Sequence, residues 1–124
     1  MKVSMKGVLL TAFAMGVAGS VMGQYSVIPS LPERPWAKKM WLNRFDEKKA
    51  LAATNNYDIV FLGDSITHGW DKDVRGASVW AKNFAEGPYK ALNCGISGDR
   101  TEHVLWRLYN GQLANLSPKA FVLM

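Results

Sequence analysis

A chain of 124 residues, 48% hydrophobic and 20% charged, has room for one small domain. Its formal charge of +5 falls by two once Lys2 and Lys6 are set aside, and the remaining charges are interspersed, as in Asp46-Glu47-Lys48-Lys49 and Asp71-Lys72-Asp73. That is the pattern of a solvated surface; it offers no basic stripe for nucleic acid, and the single cysteine, Cys94, excludes an internal disulfide.

At the amino terminus Lys2 and Lys6 precede an uncharged, mostly apolar stretch from Gly7 to Met22, and Val21 and Gly23 are small enough for a peptidase cut after Gly23. Residues 1–23 therefore read as a signal peptide. A membrane anchor competes, but the apolar core is shorter than the ~20 residues of a span, and Gln24, Ser26 and Pro29 interrupt it. The expectation is a secreted or periplasmic protein without a stable membrane anchor.

Residues 24–56 form a second section. Pro29, Pro32 and Pro35 impose an extended lead-in. From Trp36 to Ala53 there is no glycine or proline, and Met40, Trp41, Phe45, Leu51 and Ala52 share one side with Lys38, Lys48 and Lys49 elsewhere, which predicts an amphipathic helix.

The domain proper is expected over residues 57–124. Ile59 to Leu62 is a short run without polar interruption, as in a strand covered on both faces. A short helix is expected from Ser78 to Ala85, a second strand from Tyr89 to Asn93, and then a turn, Gly95-Ile96-Ser97-Gly98. Asp99 is placed to cap the next helix with Glu102 three residues on, Gly111 to stop it, and Arg107 on its wet side. Ala120 to Met124 is a third apolar run. This alternation predicts an α/β fold, a three-layer doubly wound parallel sheet that is truncated after the third strand.

In such a sheet ligands sit beyond the carboxyl ends of the strands, where both Gly63-Asp64-Ser65 and Gly95 to Asp99 fall. A serine at the first turn of a helix has its own N–H free. An ester carbonyl attacked by Ser65 Oγ would develop its oxyanion near that N–H, and Gly98 would offer a second donor with no side chain in the way. Asp64 is expected to hold the turn through hydrogen bonds to backbone N–H groups. Two other features read as bland, His103 as a packing residue at a helix start and Cys94 as a buried apolar residue, while Trp70 and Trp80 are read either as packing under the loop or as stacking groups for a sugar ring. His68, three residues after Ser65, is expected at the rim of the site and not as its base. Gly95-x-x-Gly98 lacks the Lys-Ser/Thr pair of a phosphate-binding loop.

The segments Ile59-Val60-Phe61-Leu62-Gly63-Asp64-Ser65-Ile66-Thr67 and Ala91-Leu92-Asn93-Cys94-Gly95-Ile96-Ser97-Gly98-Asp99-Arg100-Thr101 resemble the first and second blocks of the SGNH, or GDSL-type, hydrolases. His103 to Leu108, Asn110-Gly111 and Pro118-Lys119 are similar to the branch that contains the catalytic subunits of platelet-activating-factor acetylhydrolase. The resemblance covers residues 57–124 and implies an SGNH, flavodoxin-like fold with Ser65 as nucleophile and the Ser65 and Gly98 N–H groups as oxyanion donors. It implies no metal or organic cofactor. Its substrate would be a small acyl ester, an acetylated carbohydrate by preference and a phospholipid acetyl ester second. The family's Gly-x-Asn block is expected directly after Phe121 to Met124 and its Asp-x-x-His block farther on. Neither occurs among these residues, so the alternative is a catalytically incomplete fragment or a binding module.

Overall fold

The computed structural model describes residues 25–72 and 75–124; the expected leader, residues 1–23, lies outside them. A helix α1 (Pro35–Thr54) is followed by β1 (Ile59–Gly63), a one-turn helix α2 (Ser65–His68), and α3 (Ala77–Trp80), which continues as a π-turn over Ala81–Ala85. Then come β2 (Ala91–Gly95), α4 (Thr101–Tyr109) and β3 (Ala120–Leu123).

The strands form one parallel sheet in the order β2-β1-β3, with Gly63 paired to Gly95 and Leu62 to Leu123. Asp58 levels their starts. Its carbonyl accepts the Lys119 N–H at 2.8 Å, its own N–H donates to the Lys90 carbonyl at 2.7 Å, and its carboxylate accepts the Lys90 N–H at 3.0 Å. The Lys119 ammonium completes this clip and draws the Asp58 carboxyl below its usual range, mainly through their hydrogen bond.

Because side chains alternate across a strand, β1 and β2 separate into two faces. Val60, Leu62, Leu92 and Cys94 face Ala52 of α1 together with Leu51, Leu113 and Leu116. Phe61 faces the other way, its ring centroid 5.2 Å from those of both Trp80 and Phe84. Helices thus cover both sides of the sheet, the three-layer arrangement expected from the sequence. Trp80 is a packing residue beneath its loop.

Several local expectations are corrected. The first helix starts at Pro35, since proline lacks only the N–H that the first helical position leaves unused. Its buried positions are Trp41, Phe45, Lys48 and Ala52, while Met40 is exposed. Lys48 goes inside because its ammonium lies 2.8 Å from Glu47 and 3.5 Å from Asp71. The second strand runs two residues later than expected: Tyr89 is exposed, whereas Asn93 and Gly95 are buried in the strand. Burial of Asn93 is offset by its own hydrogen bonds, its amide donating to the Thr67 carbonyl at 2.8 Å and its side-chain oxygen accepting the Gly95 N–H at 2.9 Å. Gly111 does adopt the left-handed conformation, φ +75°, that ends α4.

Candidate active site

Both glycine turns leave the sheet from paired residues. Beyond Gly63 the chain turns through Asp64 into α2, and Ser65, its first residue, is exposed. Asp64 Oδ1 accepts the Ile66 N–H at 2.9 Å, the bond by which an aspartate caps a helix start. Beyond Gly95 the Ile96 N–H donates to the Gly63 carbonyl at 3.0 Å, joining the roots of the two turns. The Asp99 N–H then closes back on the Ile96 carbonyl at 3.1 Å, with Gly98 at φ +86° in the third position. A type II turn demands a positive φ there, and a Cβ on Gly98 would meet nothing within 4 Å, so that face of the residue is open.

A groove of about 470 Å³ runs along the third strand and α4 and touches both turns. Gly63 and Asp64 border it on one side, Asp99, Arg100 and Thr101 on the other, and Val104, Leu105, Leu108 and Leu123 make it apolar.

The turn at Gly98 is anchored from below in a way the sequence did not reveal. Asp99, expected as the helix cap, instead accepts the Trp41 indole N–H and a guanidinium N–H of Arg107, each at 2.5 Å. Arg107, expected to stay wet, is fully buried; it also donates to the Cys94 carbonyl at 2.6 Å and to Gln112 Oε1 at 2.8 Å. Burial pushes the Asp99 carboxyl up and the Arg107 guanidinium down, each against the pull of its partner. The helix is capped by His103 in place of Asp99, its Nδ1 accepting the Arg100 N–H at 3.1 Å while its ring packs edge-on to Trp41. The available signal for Arg107 was its position inside Val104-Leu105-Trp106-Arg107-Leu108, where a cation surrounded by apolar residues needs a carboxylate nearby.

His68 is bonded to the second turn. Its Nδ1 lies 2.9 Å from Ser97 Oγ and accepts the Ser97 N–H at 3.2 Å. Burial, followed by the positive charges of Arg44 and Lys72, lowers its pKa to about 4. Cys94 is fully buried and burial pushes its thiol up to about 11. A thiolate is the reactive form, so Cys94 is expected to resist iodoacetamide in the native protein and to label only in denaturant; mass spectrometry of the Cys94 peptide checks this. Among the described residues no three His, Cys, Asp or Glu side chains converge as a metal site, and no helix is long and apolar enough to cross a membrane.

The parallel α/β sheet thus sets a capped serine turn beside a glycine turn at the carboxyl ends of neighbouring strands. The family model described as GDSL-like Lipase/Acylhydrolase matches residues 61–124, and the chain belongs to that family. It is 34% identical over 97 residues to the alpha2 subunit of platelet-activating factor acetylhydrolase IB from Rattus norvegicus, and equally to that of Homo sapiens. These matches take in 78% of this chain and 40% of each relative. The alpha1 subunit from Mus musculus is 37% identical over 82 residues, 66% of this chain and 33% of the relative. The chain thus spans well under half the length of these relatives. They overturn the expectation of a secreted or periplasmic protein, because these relatives are mammalian acetylhydrolase IB subunits.

Proposed function

We propose that residues 57–124 are the amino-terminal part of an ester-hydrolase domain and that Ser65 is its nucleophile. The observation that carries this reading is the pairing of Gly63 with Gly95, which makes the Ser65 turn and the Gly98 turn leave neighbouring strands at the same level. Ser65 Oγ attacks the ester carbonyl, its proton passing to the departing alcohol by way of the general base that the family's Asp-x-x-His block would supply, and water then hydrolyses the acyl-enzyme; the Ser65 and Gly98 N–H groups donate to the oxygen that becomes negative in each addition. Asp64 supports the attack by fixing the start of α2 through Ile66.

The acyl group is small, acetyl by preference, consistent with the word acetylhydrolase in the relatives' names. The preference for a carbohydrate acceptor depended on export and falls with it. The test is hydrolysis of p-nitrophenyl acetate by the complete domain, with its Gly-x-Asn and Asp-x-x-His blocks, and by its Ser65→Ala variant. The expected result is turnover in the first and none above buffer in the second; undiminished turnover in Ser65→Ala removes Ser65 as the nucleophile.

A second reading, a module that binds acyl esters without turning them over, is favoured by the two histidines, since His68 is engaged with Ser97 and His103 with Arg100. Absence of turnover in the parent protein, together with saturable binding of the ester, would establish it.

A further inference from the structure

His68 and Ser97 join the two turns by side chain as well as by backbone. His68 ends the one-turn helix that Ser65 begins, and Ser97 directly precedes Gly98. A backbone N–H can only donate, so the bond from the Ser97 N–H makes His68 Nδ1 the lone-pair nitrogen and puts the ring proton on Nε2. The Ser97 hydroxyl, 2.9 Å away, shares the same acceptor.

We propose that His68 is a positioning residue which, by holding Ser97, aims the Gly98 N–H at the oxygen of the carbonyl attacked by Ser65. The proposal rests on the reading of Ser65 and Gly98 as the acylation site. Its physical motive is that an oxyanion donor helps only if it is oriented before charge develops. Gly98 has no side chain to anchor it, Ser97 and Gly98 are both exposed, and no atom comes within 4 Å of where a Gly98 Cβ would stand. Downstream the turn is tied by Asp99 to Arg107 and Trp41. Upstream of Gly98 the side-chain tie is Ser97 to His68, and it fixes the donor relative to the very helix that carries the nucleophile.

The clamp needs a neutral imidazole, because a protonated ring has no lone pair to accept with. The surroundings favour that form. Burial comes first, Arg44 and Lys48 act from α1, Lys72 acts from the loop after α2, and Asp71 opposes them. With the folded-state pKa below the unfolded value, protons bind the unfolded chain more readily. The clamp is intact at neutral pH and is lost as pH falls through about 4.

Two-dimensional amide NMR of the isotope-labelled protein, from neutral pH down through that midpoint, tests this in wild type, His68→Ala and His68→Gln. In wild type the Ser97 and Gly98 signals should move together with the His68 ring. In His68→Ala they should already be displaced at neutral pH. In His68→Gln, whose side-chain oxygen accepts but does not titrate, they should lie near the wild-type positions and lose the step near pH 4. In acetyl-ester hydrolysis His68→Ala should lower kcat by about ten- to a hundredfold with little change in KM, less than the ~10²–10³ of an oxyanion donor lost outright, and glutamine should restore most of it.

Ser97 and Gly98 signals indifferent to His68 titration in wild type overturn the proposal, as does a kcat untouched by His68→Ala. Should His68→Ala fail to fold, the wild-type titration and His68→Gln decide. Amides that follow His68 in a protein whose Ser65→Ala variant still hydrolyses ester support the clamp and refute Ser65, so the two readings fail separately.

Discussion

Replacing Arg107 by alanine is expected to lower the unfolding free energy by about 3–5 kcal/mol, a large part of the ~5–15 kcal/mol that holds a typical domain together. The size follows from what would be left behind. Asp99, whose side chain is 1% exposed, would keep the Trp41 indole N–H but lose the cation that neutralises it, and the Cys94 carbonyl and Gln112 Oε1 would each lose a donor. A buried carboxylate without a counter-charge costs far more than the net worth of the pair. Arg107→Lys should recover only a fraction, because an ammonium is a single point of charge and cannot reach Asp99, Cys94 and Gln112 from one rigid plane. Changing both partners to apolar residues of similar size, Arg107→Met with Asp99→Leu, should be milder than Arg107→Ala alone. Urea midpoints for the four proteins check the order. A loss under about 1 kcal/mol for Arg107→Ala would show that this network is not what holds the chain's second turn to the core.

The same network marks the limit of what the sequence disclosed. An unbroken apolar run located β1 to within one residue, and a stretch without glycine or proline located the long helix to within one at each end, because both are local signals. The glycine turns were legible for the same reason, since Gly98 and Gly111 sit where positive φ is required. What stayed hidden were the polar groups that fold inward once distant partners arrive. Arg107 reads as solvated until Asp99 is brought to it, Lys48 until Asp71 is, and Asn93 looks like a strand end until the Thr67 carbonyl is placed beside it. Asp99 looks like a cap from its neighbours in sequence, and its bond to Trp41, 58 residues away in the same chain, has no local pattern to announce it.

Gly95→Ala is the second change expected to have a large effect, and here the cause is steric. A Cβ on Gly95 would overlap the backbone nitrogen of His68 and stand 2.6 Å from Thr67 Cβ and 2.7 Å from the Thr67 carbonyl carbon. These are atoms of α2 close to its own axis, so no rotamer change relieves the clash and the whole turn must lift off the sheet. Overpacking of this kind costs about 1–3 kcal/mol, and a rigid backbone neighbour puts it at the upper end. The displaced element is the one that begins with Ser65, so ester hydrolysis should fall further than stability does. Gly63→Ala should act alike from the opposite side of Thr67, meeting its hydroxyl and the Met124 carbonyl. Gly98→Ala provides the contrast: the space around it is empty, and the only penalty is the alanine's reluctance to hold φ +86°. Thermal unfolding and acetyl-ester kinetics on the three variants should therefore place Gly95→Ala and Gly63→Ala well below Gly98→Ala in stability. An unchanged Tm in Gly95→Ala would mean that α2 does not rest on β2 through this glycine, and the placement of Ser65 beside the Gly98 turn would lose its structural footing.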